Sequence, residues 1–405
     1  MIGLLRLSPL FVFLLSSCGA HSSLAAGKRG AALNGIDVLS ADGFKALDGL
    51  KVGLITNHTG IDRKGKPTID LLHGASNVTL VSLFSPEHGI RGTADHSNIK
   101  DGVDQKTGLK IHSLYSGEKR KPSAVQLRGL DALVFDIQDI GCRFYTYIST
   151  MGLSMEAAQE AGIKFFVLDR VNPIGGLAVD GPVLKGKRSF VGFHEIPVRH
   201  GMTVGELAKL FRAERYSKLD LTVVPVQGWS RDQYFDQTGL PWINPSPNMR
   251  SLTEAILYPG VGLLEFTNLS VGRGTATPFE LVGAPYIDGE KFAKELTAAG
   301  LPGIEFTPVQ YTPDASVFKG ERCGGVRFVL KDRDAFRAVD LGITMAKVLH
   351  RLYPKQWQTK NIDKLLVHPP TAAAALRDES LDKIHDLWSS DRATFDRKRR
   401  SALIY

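Results

Sequence analysis

Cysteine is scarce in this chain: Cys18, Cys142 and Cys323 are the only three in 405 residues. No CxxC pair or Cys/His cluster occurs, so there is no zinc-type ligand set to read. HExxH, GxSxG and the phosphate loop with its lysine are all missing, which removes the standard metalloprotease, serine-hydrolase and P-loop readings. No apolar run is long enough to cross a bilayer as a helix. Basic residues outnumber acidic ones by 50 to 42, yet the net charge of +8 is dispersed. The single dense run, Arg397-Lys398-Arg399-Arg400, lies at the C-terminus, and no basic stripe is interleaved with aromatics. Nucleic acid is therefore not an expected partner. Glycine and proline, by contrast, are plentiful (41 and 20), in a chain long enough for two domains rich in loops.

The N-terminus reads as an export leader. Arg6 precedes a short apolar stretch, residues 7–15, which ends in Leu15-Ser16-Ser17-Cys18. Small residues before a cysteine here resemble a bacterial lipobox, implying cleavage before Cys18 and lipid on its thiol. Ordinary secretion with cleavage after Ala26 is the alternative. The expected organisation is a leader at 1–17, a tether of small and polar residues at 18–34, and domains at 35–251 and 252–405. The expected location is the periplasm, as a membrane-anchored lipoprotein. Cys142 and Cys323 are expected to be buried free thiols.

From residue 35, strands and helices alternate. Apolar, β-branched runs at 51–56, 78–84, 131–137, 164–169 and 221–226 predict strands. Helical spacing or caps predict helices at 38–50, 68–73, 149–161 and 204–214, the last opened by a Thr203/Glu206 capping box. Such alternation implies a doubly wound parallel sheet, an α/β fold. Beyond a Pro/Asn-rich stretch at 241–248, the pattern predicts a smaller α/β domain. Its expected elements are a strand at 262–267, a helix at 290–299, strands at 304–309 and 326–331, and a long helix at 334–353.

In a parallel sheet the carboxyl ends of all strands share one edge, where ligands bind. Those ends carry Asn57-His58, Glu87-His88, Asp136 with Asp139, and Asp169-Arg170 with Asn172; Glu265, Asn268 and Arg273 come from the second domain. Glu87, directly after a buried strand and Pro86, is the candidate proton donor for carboxylate acid/base catalysis, and Asp136 or Asp139 the second carboxylate. The bland alternatives are solvated loop residues at 87–88 and a capping role for Asp136. A metal hydrolase built on His58, His88, His112, His200 and the Asp pair competes, without any recognised ligand spacing. Val271-Gly272-Arg273-Gly274-Thr275 lacks the nucleotide-loop spacing; its glycines suit a turn that presents Arg273. Trp229, Tyr234, Phe235 and Trp242, in the loop 228–249, suit sugar faces, or equally pin the loop to the core.

Read together, these segments resemble a known family. Gly53-Leu54-Ile55-Thr56-Asn57, Ser85-Pro86-Glu87-His88-Gly89, Asp136-Ile137-Gln138-Asp139 with Gly141, Arg143 and Tyr145-Thr146-Tyr147, Asp169-Arg170 with Asn172-Pro173, and Pro245-Ser246-Pro247-Asn248-Met249 occur in order. Tyr258-Pro259-Gly260, Glu265 with Asn268, and Gly272-Arg273-Gly274-Thr275 follow. The pattern is similar to the NamZ-type exo-β-N-acetylmuramidases, glycoside hydrolase family 171, over nearly everything from residue 35 onward. The resemblance implies a Rossmann-like domain plus a smaller one, with the cleft between them. It implies release of N-acetylmuramic acid from the non-reducing end of peptidoglycan fragments of the MurNAc-GlcNAc type, with no metal or cofactor called for. It carries Glu87 over as catalytic and puts Asn57, His58, His88, Arg143, Tyr145, Arg170, Asn172, Asn248, Glu265, Asn268 and Arg273 in the substrate site. A lactyl carboxylate wants a cation, for which Arg143, Arg170 and Arg273 are the candidates. A non-catalytic wall-binding lipoprotein using the same cleft remains the rival class.

Overall fold

The computed structural model describes residues 31–91 and 99–405. The leader, Cys18 and the tether up to residue 30 lie outside the described residues. The last four residues assigned to the tether belong to the fold instead. Ala32 N donates to Thr238 O at 2.8 Å, and Leu33 pairs with Gln227.

In chain order the first-half strands are β1 (Lys51–Thr56), β2 (Thr79–Ser85), β3 (Gly102–Val103), β4 (Lys110–Ser113), β5 (Ala132–Asp136), β6 (Lys164–Leu168), β7 (Asp180–Val183), β8 (Pro197–Arg199) and β9 (Leu221–Val224). Seven of them form one sheet in the order β3-β4-β2-β1-β5-β6-β9, parallel throughout except for the β3 edge. The alternation within each strand explains why both faces are covered. On one face Val52, Leu54, Ala132, Val134, Phe166 and Leu168 pack on the helices Gly35–Ala41 and Thr68–His73. On the other, Ile55, Leu133, Phe135, Phe165 and Val167 pack on Tyr147–Ala161 and Val204–Arg215. Strands buried on both faces read as continuous apolar runs, which is how the sequence showed them.

The second half supplies β10 (Leu281–Ala284), β11 (Ile304–Tyr311) and β12 (Cys323–Leu330), an antiparallel sheet in the order β10-β12-β11. Its apolar side joins the same core as the second face of the large sheet. The strand expected at 262–267 is not there. Ser251 and Glu254 form a capping box that starts a helix at Leu252–Val261, and a 3-10 turn, Gly262–Leu264, continues it. The Pro-Gly pair within it reads as a breaker, but packing overrides it. A Cβ on Gly260 would lie 1.8 Å from Ala338 O, so the glycine lets this helix cross Ala338–Leu352 at close range. The helix expected at 38–50 splits into Gly35–Ala41 and a 3-10 turn at Lys45–Leu47. Gly43 and Phe44 between them both have positive φ, 65° and 58°. Cys142 and Cys323 are buried and unpaired.

Candidate active site

Counting only the parallel strands, the order β4-β2-β1-β5-β6-β9 runs 3-2-1-4-5-6 along the chain. In such sheets ligands sit where the order reverses, here between β1 and β5. This chain fills that crevice with its own side chains. Asp136, fully buried at the end of β5, accepts from Arg170 Nε at 2.6 Å and Nη2 at 3.0 Å, and from Thr68 Oγ1 at 2.5 Å. A cavity of only about 20 Å³ remains beside Thr59, Gln138, Arg170 and Trp242. Asp136 is thus not the second carboxylate of a cleft, and Arg170 is not a substrate cation: each neutralises the other.

Several other strand-end residues hold the loops rather than a ligand. Asp139 Oδ2 accepts from Gly141 N at 2.7 Å and lies 3.4 Å from His200 Nε2. Gly141 has φ 84°, and a Cβ there would meet Asn172 Oδ1 at 2.5 Å. Asn172 itself donates to Met202 O at 2.9 Å. Asn57 Oδ1 accepts from Thr59 N and Oγ1 at 2.9 and 2.6 Å. Asn268, from the second half, bonds Gln356 O and Gln358 N at 2.9 and 2.7 Å. Asn248 is buried and does not line the cleft described below. These placements put Asp139, Asn57, Asn172, Asn248 and Asn268, expected as catalytic or substrate-binding, in the loop framework and outside the lining of the cleft.

Arg143 is the largest such correction. It is fully buried, and its Nη1 donates to Pro182 O and Ile196 O, both at 3.0 Å. Nη2 donates to Leu365 O at 3.0 Å and to Leu366 O. Burial pushes the guanidinium down to about 10. The residue staples residues 365–366 to the first half and cannot reach a substrate. Arg143→Met should lower stability by about 3 kcal/mol or more, since it strands buried carbonyls. Chemical denaturation monitored by far-UV circular dichroism will show the midpoint fall; an unchanged midpoint would refute the staple.

The cleft lies elsewhere, and its volume is about 370 Å³. Pro86 ends β2, and Glu87 and His88 enter the cleft from there. Tyr115 enters from the loop after β4, Tyr145 and Thr146 from the segment between β5 and its helix, and Tyr147 from that helix's first position. Tyr258, Glu265, Phe266, Arg273 and Phe279 line it from the second half, and Phe190 and Ser246 are also part of the wall. Of the expected site residues, Glu87, His88, Tyr145, Glu265 and Arg273 therefore meet in one place.

Thr146 Oγ1 donates to Glu87 Oε2, and the Tyr115 phenol lines the same cleft, near enough for the Glu87 charge to act on it. His88 turns the chain after Glu87 with φ 67°, a left-handed conformation costly for a residue with a Cβ and common where a site demands it. The phenols of Tyr115, Tyr145 and Tyr147 are pushed above the usual tyrosine range, first by burial and then by neighbouring groups, among them the Glu87 charge. They remain protonated and can serve as donors. Arg273 Nε pairs with Glu265 Oε1, and its guanidinium lies 5.2 Å from the Phe279 ring centre.

A second, more open groove of about 560 Å³ shares Ser246 with the cleft and holds His58, Trp242 and Asn244. His58 Nε2 lies 2.6 Å from Asn244 O, and burial lowers its basicity. Trp229, Tyr234 and Phe235 are buried and pin the loop to the core, while half-buried Trp242 faces this groove. Among the described residues, no three His, Cys, Asp or Glu side chains are grouped to hold a metal ion. Tyr115, Phe190 and Phe266 escaped the sequence reading. The alternating stretch 109–114 just before Tyr115 was the available signal for the first of them.

Residues 52–253 match the family model described as exo-beta-N-acetylmuramidase NamZ, N-terminal, and residues 256–405 the corresponding C-terminal model. The peptidoglycan beta-N-acetylmuramidase NamZ of Bacillus subtilis (strain 168) is 42% identical over 395 residues, covering 96% of this chain and 95% of that protein. A DUF1343 family protein of Bacteroides fragilis NCTC 9343 shares the fold with a TM-score of 0.86 at 38% identity, over 94% of this chain and 100% of that one. A second DUF1343 family protein of that organism gives 0.76 at 31%, over 92% and 99%.

Proposed function

The chain belongs to the exo-β-N-acetylmuramidase NamZ family, and from that premise we propose how its own residues perform the hydrolysis. It is a glycosidase that releases N-acetylmuramic acid from the non-reducing end of peptidoglycan fragments. Glu87 is the proton donor to the glycosidic oxygen. The observation that carries this role is its position: among the described residues it is the strand-end carboxylate that opens into the cleft, held there by Thr146 and flanked by Tyr115. Asp136 and Asp139 are engaged elsewhere, and among the described residues Glu265 is the other carboxylate lining the cleft. Tyr258, Phe266 and Phe279 offer faces for the apolar side of a pyranose. Arg273 is the cation for the lactyl carboxylate, since Arg143 and Arg170 are occupied inside the fold.

The activity is tested by incubating the protein with a MurNAc-GlcNAc disaccharide and following both sugars by chromatography. Free N-acetylmuramic acid is expected. Saturable binding without release would favour the wall-binding lipoprotein reading instead.

The lipobox-like Leu15-Ser16-Ser17-Cys18 supports an exported enzyme tethered to the membrane through lipid on Cys18. Cys18→Ala should move the protein from the membrane fraction to the soluble one, or block its maturation. A variant that stays membrane-bound and processed like the wild type would remove the anchor.

A further inference from the structure

Two separate loops bring side chains to Glu87. Thr146, at the start of the helix after β5, donates to its Oε2. Tyr115 stands beside it on the loop after β4: the ladder pairs Ser85 with Ser113, two residues before each, and both side chains line the cleft. That loop is tightly fixed. Leu114 N donates to Ser85 O at 2.8 Å, tying it to the end of the strand that delivers Glu87. Tyr115 N donates to Ser113 Oγ at 3.1 Å, and Tyr115 O accepts from Ile99 N at 2.9 Å. The ring is held as well: Phe190 packs at 5.8 Å between centroids, and the Arg120 guanidinium sits 4.2 Å above it. Arg120 is steadied in turn by Gly117 O and Lys119 O at 2.7 and 2.8 Å. The ring is thus fixed at the wall of the cleft, beside the loop that delivers Glu87.

We propose that Tyr115 is a positioning residue for the glycosidase reaction, orienting the Glu87 carboxyl toward the glycosidic oxygen and stabilising the carboxylate left after proton transfer. This rests on Glu87 being the acid. In that step the proton passes from Glu87 to the glycosidic oxygen, the C1–O bond breaks, and its electron pair leaves with the departing sugar alcohol. Water supplies hydroxide to C1, and Glu87 regains a proton from water before the next turnover. Between those events the anion accepts the Tyr115 O–H. A hydrogen bond to a charged group stabilises it most, so the benefit falls where charge develops.

The test separates the hydroxyl from the ring. Tyr115→Phe keeps the packing against Phe190 and Arg120; Tyr115→Ala removes it. Both are assayed on the MurNAc-GlcNAc disaccharide, whose sugar leaving group needs a proton, and on a nitrophenyl muramide, whose leaving group does not. Tyr115→Phe should lower kcat on the disaccharide about 10- to 100-fold with little change in KM, the span expected for one charge-directed hydrogen bond. Its loss on the nitrophenyl substrate should be far smaller. Equal losses on both substrates, or wild-type kinetics for Tyr115→Phe while Tyr115→Ala raises KM on both, would make Tyr115 only a wall of the cleft and overturn the proposal. A wild-type protein that cleaves neither substrate would take down the glycosidase reading, and this inference with it.

Discussion

Glu87→Gln should cut turnover of the disaccharide by at least about 100-fold, the effect of removing a general acid. The amide has nearly the shape of the carboxyl, and its oxygen can still accept from Thr146 or Tyr115, so the fold and the KM should change little. What it lacks is a proton to give. A nitrophenyl muramide should therefore suffer less than the disaccharide. Thermal melting fixes the folded state of the variant, and initial rates on both substrates complete the measurement. The contrasting substitution is Asp136→Asn, which breaks the buried pair with Arg170. Losing one partner of such a pair costs about 3–5 kcal/mol of stability, but the turnover of the molecules that remain folded should survive. Should Glu87→Gln turn over the disaccharide at the wild-type rate, or Asp136→Asn abolish catalysis without loss of stability, the roles assigned to the two carboxylates would be reversed.

The contrast between those two acids shows what the sequence could and could not convey. Runs such as 51–56 and 164–169 announce strands because burial on both faces demands apolar residues at nearly every position, and the observed Lys51–Thr56 and Lys164–Leu168 follow. The capping box at Thr203 and Glu206 is likewise local chemistry, and it stands as expected. Polar residues beyond the strand ends are ambiguous in a deeper way. A buried parallel sheet leaves loop amides and carbonyls at its carboxyl edge that must be satisfied. Asp139 on Gly141 N and Arg143 on four carbonyls meet that need with the same residue types a binding site would use. Only the direction of the side chain distinguishes them, and direction is a tertiary property. Glu87 was legible because Pro86 breaks its strand and sends the next residue outward. Tyr115 was overlooked because the short strand before it, Lys110–Ser113, has too few residues to stand out in the sequence. The family motifs gathered Glu265 and Arg273 into the site, which no periodicity could have done across the boundary between the two halves.

Arg273 should set the preference for muramic acid over N-acetylglucosamine. The two sugars differ by the lactyl ether, which brings a carboxylate, and the arginines weighed for it are reduced to one by the geometry. Arg143 is enclosed by carbonyls and Arg170 by Asp136, whereas Arg273 lines the cleft together with Glu87. Its pairing with Glu265 does more than hold it in place. The carboxylate of Glu265 would repel an anionic substrate if its partner were lost, so removing the guanidinium both deletes an attraction and uncovers a repulsion. Arg273→Gln should raise KM for a nitrophenyl N-acetylmuramide about 10- to 100-fold, the worth of one charge-assisted hydrogen bond. Slow cleavage of the matching N-acetylglucosaminide, which carries no carboxylate, should hardly change, so the ratio of the two kcat/KM values collapses. Adding Glu265→Gln should recover part of the loss on the muramide by removing the repulsion. Equal losses on both glycosides would mean that Arg273 supports the cleft without reading the lactyl group, and the carboxylate would then need another cation.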